Sequence, residues 1–290
     1  MIDRTRLPLL ALITLALLIP AGGQAQSDYE PQPQLPVGSM LLTLPSSHMP
    51  REGTWEVGFM HRFLLPVDEG SLEDQFRSLW GLDGGANVGI SVSWVARRDL
   101  ELSLARTNTL DVFELAARYV LVQQAPAIPA TVALRGGVDL RTERDLSDRA
   151  SWFAQGIISR QFGYRTELFI VPTFTTDAGR VTDGRQSVAL FSEAANVAFG
   201  GVVMIGTNLS LVAEMIPVNR DLPEGRSGDP AWSLGLKRAL GGHHFEVILT
   251  NSLALTVDEY ATSTFLGAPL DAGELHLGFN IRRSFGGRSR

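Results

Sequence analysis

Four histidines are the side chains best suited to hold a metal or haem, since imidazole ligates both. They are His61, His243, His244 and His276. His61 falls on the same alternating face as Trp55, Phe59 and Phe63, and His243 on the same face as Phe245. The first sits near the end of one extended segment and the second near the start of another, at opposite rims, so they share no metal. They read as amphipathic rings in an interfacial belt with Trp55, Trp94, Tyr119 and Trp152. His244 and His276 fall on the other face, where a pair with Glu246 is the arrangement to test. Serine chemistry is poorly served. About 25 Å of extended chain separates His244 from Ser252, and there is no Gly-x-Ser-x-Gly turn. These readings give no catalytic residue, metal site or cofactor.

The elements that carry these residues have a period of two. In Thr54–Phe63 one parity reads Trp55, Val57, Phe59, His61, Phe63 and the other includes Glu56, Gly58 and Arg62. The pattern recurs in Asn87–Ala96, Leu100–Leu104, Val112–Gln123, Thr131–Arg141, Trp152–Phe162, Thr166–Thr175, Ala194–Ile205, Leu209–Pro217, Ala231–Arg238, His243–Asn251 and Glu274–Phe285. Twelve segments of about ten residues suit tilted strands crossing a hydrocarbon layer, and an even count suits a closed bacterial barrel. The connections alternate. Long stretches (64–85, 142–151, 176–193, 218–230, 252–273) separate short turns (97–99, 163–164, 206–208, 240–242), which predicts short periplasmic turns and long extracellular loops. Asn108–Asp111 and Gln124–Ala130 fit that scheme least well, so the strand count is weakest around 106–131. The fold class is therefore all-β: a single closed, antiparallel, up-and-down transmembrane barrel of about twelve strands.

With the apolar parity outward, the lumen face collects Glu56, Arg62, Glu101, Glu114, Arg118, Arg135, Asp139, Arg141, Glu167, Glu214, Lys237, Glu246 and Arg282. Seven acids and six bases make a nearly neutral interior able to pair across the bore. Of 290 residues 44% are apolar and 19% charged, the net charge is −6 and there is no cysteine. That composition excludes a disordered chain, a nucleic-acid binder and a disulfide framework. Arg4 and Arg6, the apolar run Leu7–Ile19 and the small-residue stretch Ala21–Ala25 make residues 1–25 a secretory signal peptide. Residues 26–52 read as an extended Pro/Gln-rich periplasmic lead-in, and 53–290 as the barrel. Ser71–Trp80 is helix-like and capped; it could fold over the mouth as a lid, but the favoured reading is an amphipathic helix packing on the rim or the interface.

Several pieces resemble an uncharacterised bacterial barrel family, domain of unknown function number 5777. They are Leu44-Pro45, Met49-Pro50, Gly53-Thr54, His61-Arg62-Phe63, Trp80-Gly81-Leu82-Asp83, Ala86-Asn87, Leu209–Glu214, Ile216-Pro217, Gly241–Phe245, Leu249–Ser252 and Gly278–Phe285. His61, Arg62, Phe63, His243, Phe245 and Asn251 carry much of the likeness, and His244 departs from it where an aliphatic residue is usual. The resemblance implies a single-domain outer-membrane barrel and brings no activity with it.

The leading expectation is an outer-membrane barrel of the channel or transport class, or a structural barrel with a filled lumen, without catalysis. Its partners would be outer-membrane lipid and the barrel-assembly machinery. An exported soluble barrel or sandwich binding a small apolar ligand, and an outer-membrane enzyme acting on lipid, are the alternatives.

Overall fold

The computed structural model describes residues 35–68, 70–142, 150–183, 186–218, 228–266 and 268–287. Residues 1–25, expected from the sequence to be a signal peptide, and the first part of the expected lead-in lie outside them. Twelve strands close into one antiparallel barrel: β1 Thr54–Phe63, β2 Ala86–Arg97, β3 Leu100–Thr107, β4 Val112–Val122, β5 Thr131–Arg141, β6 Ala150–Phe162, β7 Thr166–Asp183, β8 Gln186–Met204, β9 Leu209–Ile216, β10 Ala231–Leu240, β11 His243–Thr250 and β12 His276–Gly286. Each pairs with its neighbours in sequence. β12 closes on β1 with Thr54 opposite Gly286 and Arg62 opposite Gly278. Closure leaves no sheet edge whose backbone donors and acceptors would meet lipid.

Alternation follows the strand period. On β1, Trp55 and Val57 are exposed while Glu56, Met60 and Arg62 are buried. Val247 on β11 is 63% exposed and Ile90 on β2 57%. Trp55 stacks on Trp94 at the turn rim, their rings 5.7 Å apart, and Tyr119 is exposed on the same rim while Trp152 opens β6 at the loop rim. An arginine at Ile90 puts a charge on this outer belt. Ile90→Arg is expected to lower stability in lipid vesicles by about 2–4 kcal/mol, read by urea titration, while Ser91→Arg leaves the belt intact and crowds the lumen instead. Equal cost at both positions would contradict the orientation.

The structure corrects three readings of the connections. Thr176–Glu193 is no loop, because β7 and β8 run on through it, Ala178 opposite Phe191 and Arg180 opposite Ala189. Two strands that bond each other need no lipid, so this hairpin outlasts the apolar belt that hydropathy measures. The loop after β11 is not external either: residues 253–264 are all buried, folding into the lumen as a short helix, α2 Val257–Tyr260, with its flanks. The lead-in is the third. Leu35, Val37, Leu41, Leu42 and Leu44 are almost wholly buried inside the barrel, so the described part of 26–52 is a plug and not a periplasmic spacer. Residues 108–111 form a short 3-10 turn and 124–130 a connection bridged at Ala125 and Ile128, so the count stays at twelve.

Candidate functional site: a doubly filled lumen

The plug is a hairpin. Met40 bridges Pro45, and Leu41 N–H donates to Leu44 O at 2.8 Å. Its tip turns three consecutive backbone N–H groups outward, and the Glu214 carboxylate of β9 accepts all three: Leu42 at 2.8 Å, Thr43 at 3.0 Å and Leu44 at 3.0 Å. Successive amides of a tight turn make such an anion-holding concavity. Lys237 of β10 donates to the Met40 and Leu41 carbonyls at 2.6 and 2.9 Å, and Asn280 of β12 to the Leu42 carbonyl at 2.8 Å. Arg118 of β4 donates to the Ser39 carbonyl at 2.9 Å and also to that of Ser46. On the return arm Ser47 Oγ lies 2.6 Å from Ser159 Oγ, and His48 Nε2 2.6 Å from Glu167.

Apolar packing seats one side of this hairpin. Leu41 and Leu42 rest against Gly200 and Gly235, where a Cβ would come within 2.4 and 2.8 Å of their methyl groups. Ile157, Phe169, Val171, Val202 and Val212 face inward around them and form one cluster with the plug leucines. The lumen is therefore not uniformly polar. The sequence signal was present in β7 and β8, where Leu168-Phe-Ile-Val171 and Val202-Val203 are apolar on both parities, as in strands buried on both faces.

All thirteen charged residues assigned to the inner face are buried. Glu101 pairs with Arg118 at 2.9 Å, Glu114 with Arg135, and Glu246 with Lys237 at 2.9 Å and Arg282 at 2.6 Å. Glu56 accepts from Ser39 and Ser284, and Arg62 donates to Asn280 and Thr43. Asp139 and Arg141 hold the inward loop instead: Asp139 accepts from the Asp258 N–H at 3.2 Å, and Arg141 pairs with the Asp258 carboxylate. The loop is further tied by Gln155 donating to Tyr260 Oη at 2.8 Å and Asn196 to the Ala261 carbonyl at 3.1 Å. Ser39, Thr43, His48, Gln155, Asn196, Asp258 and Asn280 are the contacts that alternation alone did not mark, because four lie off the strands and three are neutral.

The histidines do not gather. His61 stacks on Phe279, rings 4.9 Å apart, and His243 on Phe245 at 5.8 Å, both on the outer face. His244 faces Gly38 of the plug, whereas His276 is bonded to the Phe63 carbonyl at the other rim. With Glu246 committed to Lys237 and Arg282, the lumenal pair with His244 and His276 does not form. Asn251 holds backbone, donating to the Pro230 carbonyl and accepting from the Trp232 N–H.

Between hairpin, inward loop and the β1–β5 wall remains a cavity of about 60 Å³. Its lining is mixed: Ser39, Thr43, Met40 and Pro45 from the plug, Met60, Ser91, Ser93, Ser103 and Ala105 from the wall, Leu255 and Tyr260 from the loop, with Glu56, Glu101, Glu114, Arg118, Arg135 and Arg282 around them. It has room for a few waters at most.

A family model described as a membrane-bound beta barrel domain, DUF5777, matches residues 38–285, a span that begins within the plug. No curated protein matches the chain by sequence. Among solved structures the chain is similar to the NanC porin at 9% identity and TM-score 0.48, covering 80% of this chain and 99% of that one. It is similar to the COG4313 outer membrane channel of Pseudomonas putida F1 at 9% identity and TM-score 0.47, covering 82% and 97%. It also resembles the outer membrane phospholipase A of Escherichia coli at 9% identity and TM-score 0.40, covering 81% and 91%.

Proposed function

Because the chain belongs to the DUF5777 family of membrane-bound β-barrel domains, we propose that it is an outer-membrane barrel of the channel class, closed by its own N-terminal hairpin and inward loop. The observation that carries this reading is how the bore is filled. Two segments outside the wall occupy it, both tied to buried wall charges by polar bonds, and a small cavity of mixed lining separates them from the small residues of β2 and β3. Both segments are held by side-chain bonds and packing and not by strand pairing with the wall, so they can leave without breaking the barrel's own hydrogen-bonded ladder. The signal peptide 1–25 and the short-turn, long-loop asymmetry support outer-membrane location, with the turns periplasmic and the N-terminal hairpin entering from that side. Lipid and the barrel-assembly machinery are then its partners. Near-balance of acids and bases in the wall favours weak ion preference, since strong selectivity comes from rings of one sign.

The test is a reversible lock. Ser47 and Ser159 touch through their hydroxyls, and the chain has no other cysteine to interfere, so Ser47→Cys with Ser159→Cys should form one disulfide. In planar bilayers the oxidised protein is expected to be silent, and reduction with dithiothreitol to restore discrete current steps. Silence of the reduced, folded protein and of every plug-loosening variant would leave a filled structural barrel as the function.

A further inference from the structure

The loop between β1 and β2 carries an amphipathic surface that neither lumen nor wall uses. Its helix, α1 Leu72–Arg77, is built to form: Ser71 caps it, the Ser71 hydroxyl accepting from the Asp74 N–H while Asp74 accepts from the Ser71 N–H, and Glu73 pairs with Arg77 at 2.6 Å. Yet none of its residues is buried. Leu72 is 74% and Phe76 64% exposed, and Leu79, Trp80 and Leu82 are exposed beside them. Phe76 and Trp80 touch, rings 4.7 Å apart, so the apolar residues make one patch and not scattered points. Such a patch on a folded surface marks an interaction site.

Three observations fix what it meets. The patch continues the outer belt, because Phe63 ends β1 on the outward parity and Leu64 and Leu65 after it are exposed. The loop is tied down at the barrel rim, where Leu64 N–H donates to Gly85 O at 2.9 Å and Val67 N–H to Leu275 O at 2.7 Å. Its shape is set, since Gly81 (φ +82°) lies against the Leu65 carbonyl, with no space for a Cβ. We infer that α1 and the turn after it lie in the headgroup–acyl boundary of the leaflet at the loop rim, Leu72, Phe76 and Trp80 toward the acyl chains and Glu73, Asp74 and Arg77 toward water. Aromatic and aliphatic side chains at the end of the outer belt, with the charged groups turned to water, suit the membrane interface, and they make the loop a lipid anchor for that rim. The inference holds whether or not the lumen conducts.

Nitroxide labels on single cysteines test it in the full mature chain, which has no cysteine of its own. In palmitoyl-oleoyl phosphatidylcholine vesicles, a label at Phe76→Cys should collide several-fold more often with oxygen than with a water-soluble nickel chelate, and a label at Asp74→Cys should show the reverse. Leu72→Cys serves as the second lipid-side site if Phe76→Cys fails to insert. Nickel access dominating at 72, 74 and 76 alike would place the loop in water and overturn the inference. Exclusion of both reagents at 76 would overturn it too, as a lid or a contact between two copies, which dilution with unlabelled chain separates.

Discussion

Glu214→Ala is expected to unseat the hairpin and open Lys237 to a water-soluble acylating reagent, while the barrel itself stays folded. Lys237 is the only lysine in the chain, and in the closed lumen its ammonium is enclosed by the Met40 and Leu41 carbonyls and Glu246. Its acylation therefore reports plug seating at one mapped peptide. The expected size follows from the donors left behind. Without the carboxylate, the N–H groups of Leu42, Thr43 and Leu44 lose their shared acceptor in a site that admits little water. Each unsatisfied buried donor costs about 1–3 kcal/mol, so even the low end for three donors shifts the seated population by about a hundredfold. Glu214→Gln keeps one accepting oxygen and should fall between. Wild-type protection of Lys237 in a folded Glu214→Ala barrel would mean that the leucines against Gly200 and Gly235 seat the plug unaided.

The wall was legible because lipid on one side and polar bore on the other impose strict alternation. Thr54–Phe63 and Thr131–Arg141 have the ends that alternation assigns them, and β1 meets β12 because a strand in lipid cannot stay unpaired. What fills the wall was not legible by the same rule. Leu35–Leu44 and Leu253–Tyr260 are too short to show a period, being one tight hairpin and one helical turn held in place by side chains of strands far away in sequence. Glu214 lies 172 residues from Leu42. The composition of the lead-in resembles a solvated linker, yet Leu41, Leu42 and Leu44 find lumenal glycines and valines whose purpose appears only when the barrel is closed. The same limit explains 176–193, where the strands continue because they bond each other and pack inward on Thr262 and Thr264 at Gly179.

The inward loop should release as pH rises through the range between about 4.5 and 7 and change little above it. Glu259 of α2 is fully enclosed, and burial pushes its carboxyl up to about 7 from the usual 4.5, with Asp139 adding to the rise and Arg141 and the hydrogen bonds from Thr256 and Leu255 opposing it. Arg180 of β7 and Asp177 beside it complete the charged surroundings of Arg141, and Asp258 next in sequence is committed to Arg141. A carboxyl whose value is higher when seated than when free holds its proton more tightly in the seated state. Below 4.5 both states are protonated and seating bears no charge cost. Between 4.5 and 7 the free loop ionises while the seated one resists, so seating weakens by about 1.4 kcal/mol per pH unit, reaching roughly 3 kcal/mol. Above 7 both states are ionised and the loss is complete. Hydrogen exchange of the 254–262 amides, corrected for intrinsic rate, should show protection falling across that window and level beyond it. Glu259→Gln should remove most of that fall, because a neutral side chain of the same shape has no proton to lose. A wild-type profile flat from pH 4.5 to 8, or one that survives Glu259→Gln unchanged, would remove Glu259 as the group that loosens the loop.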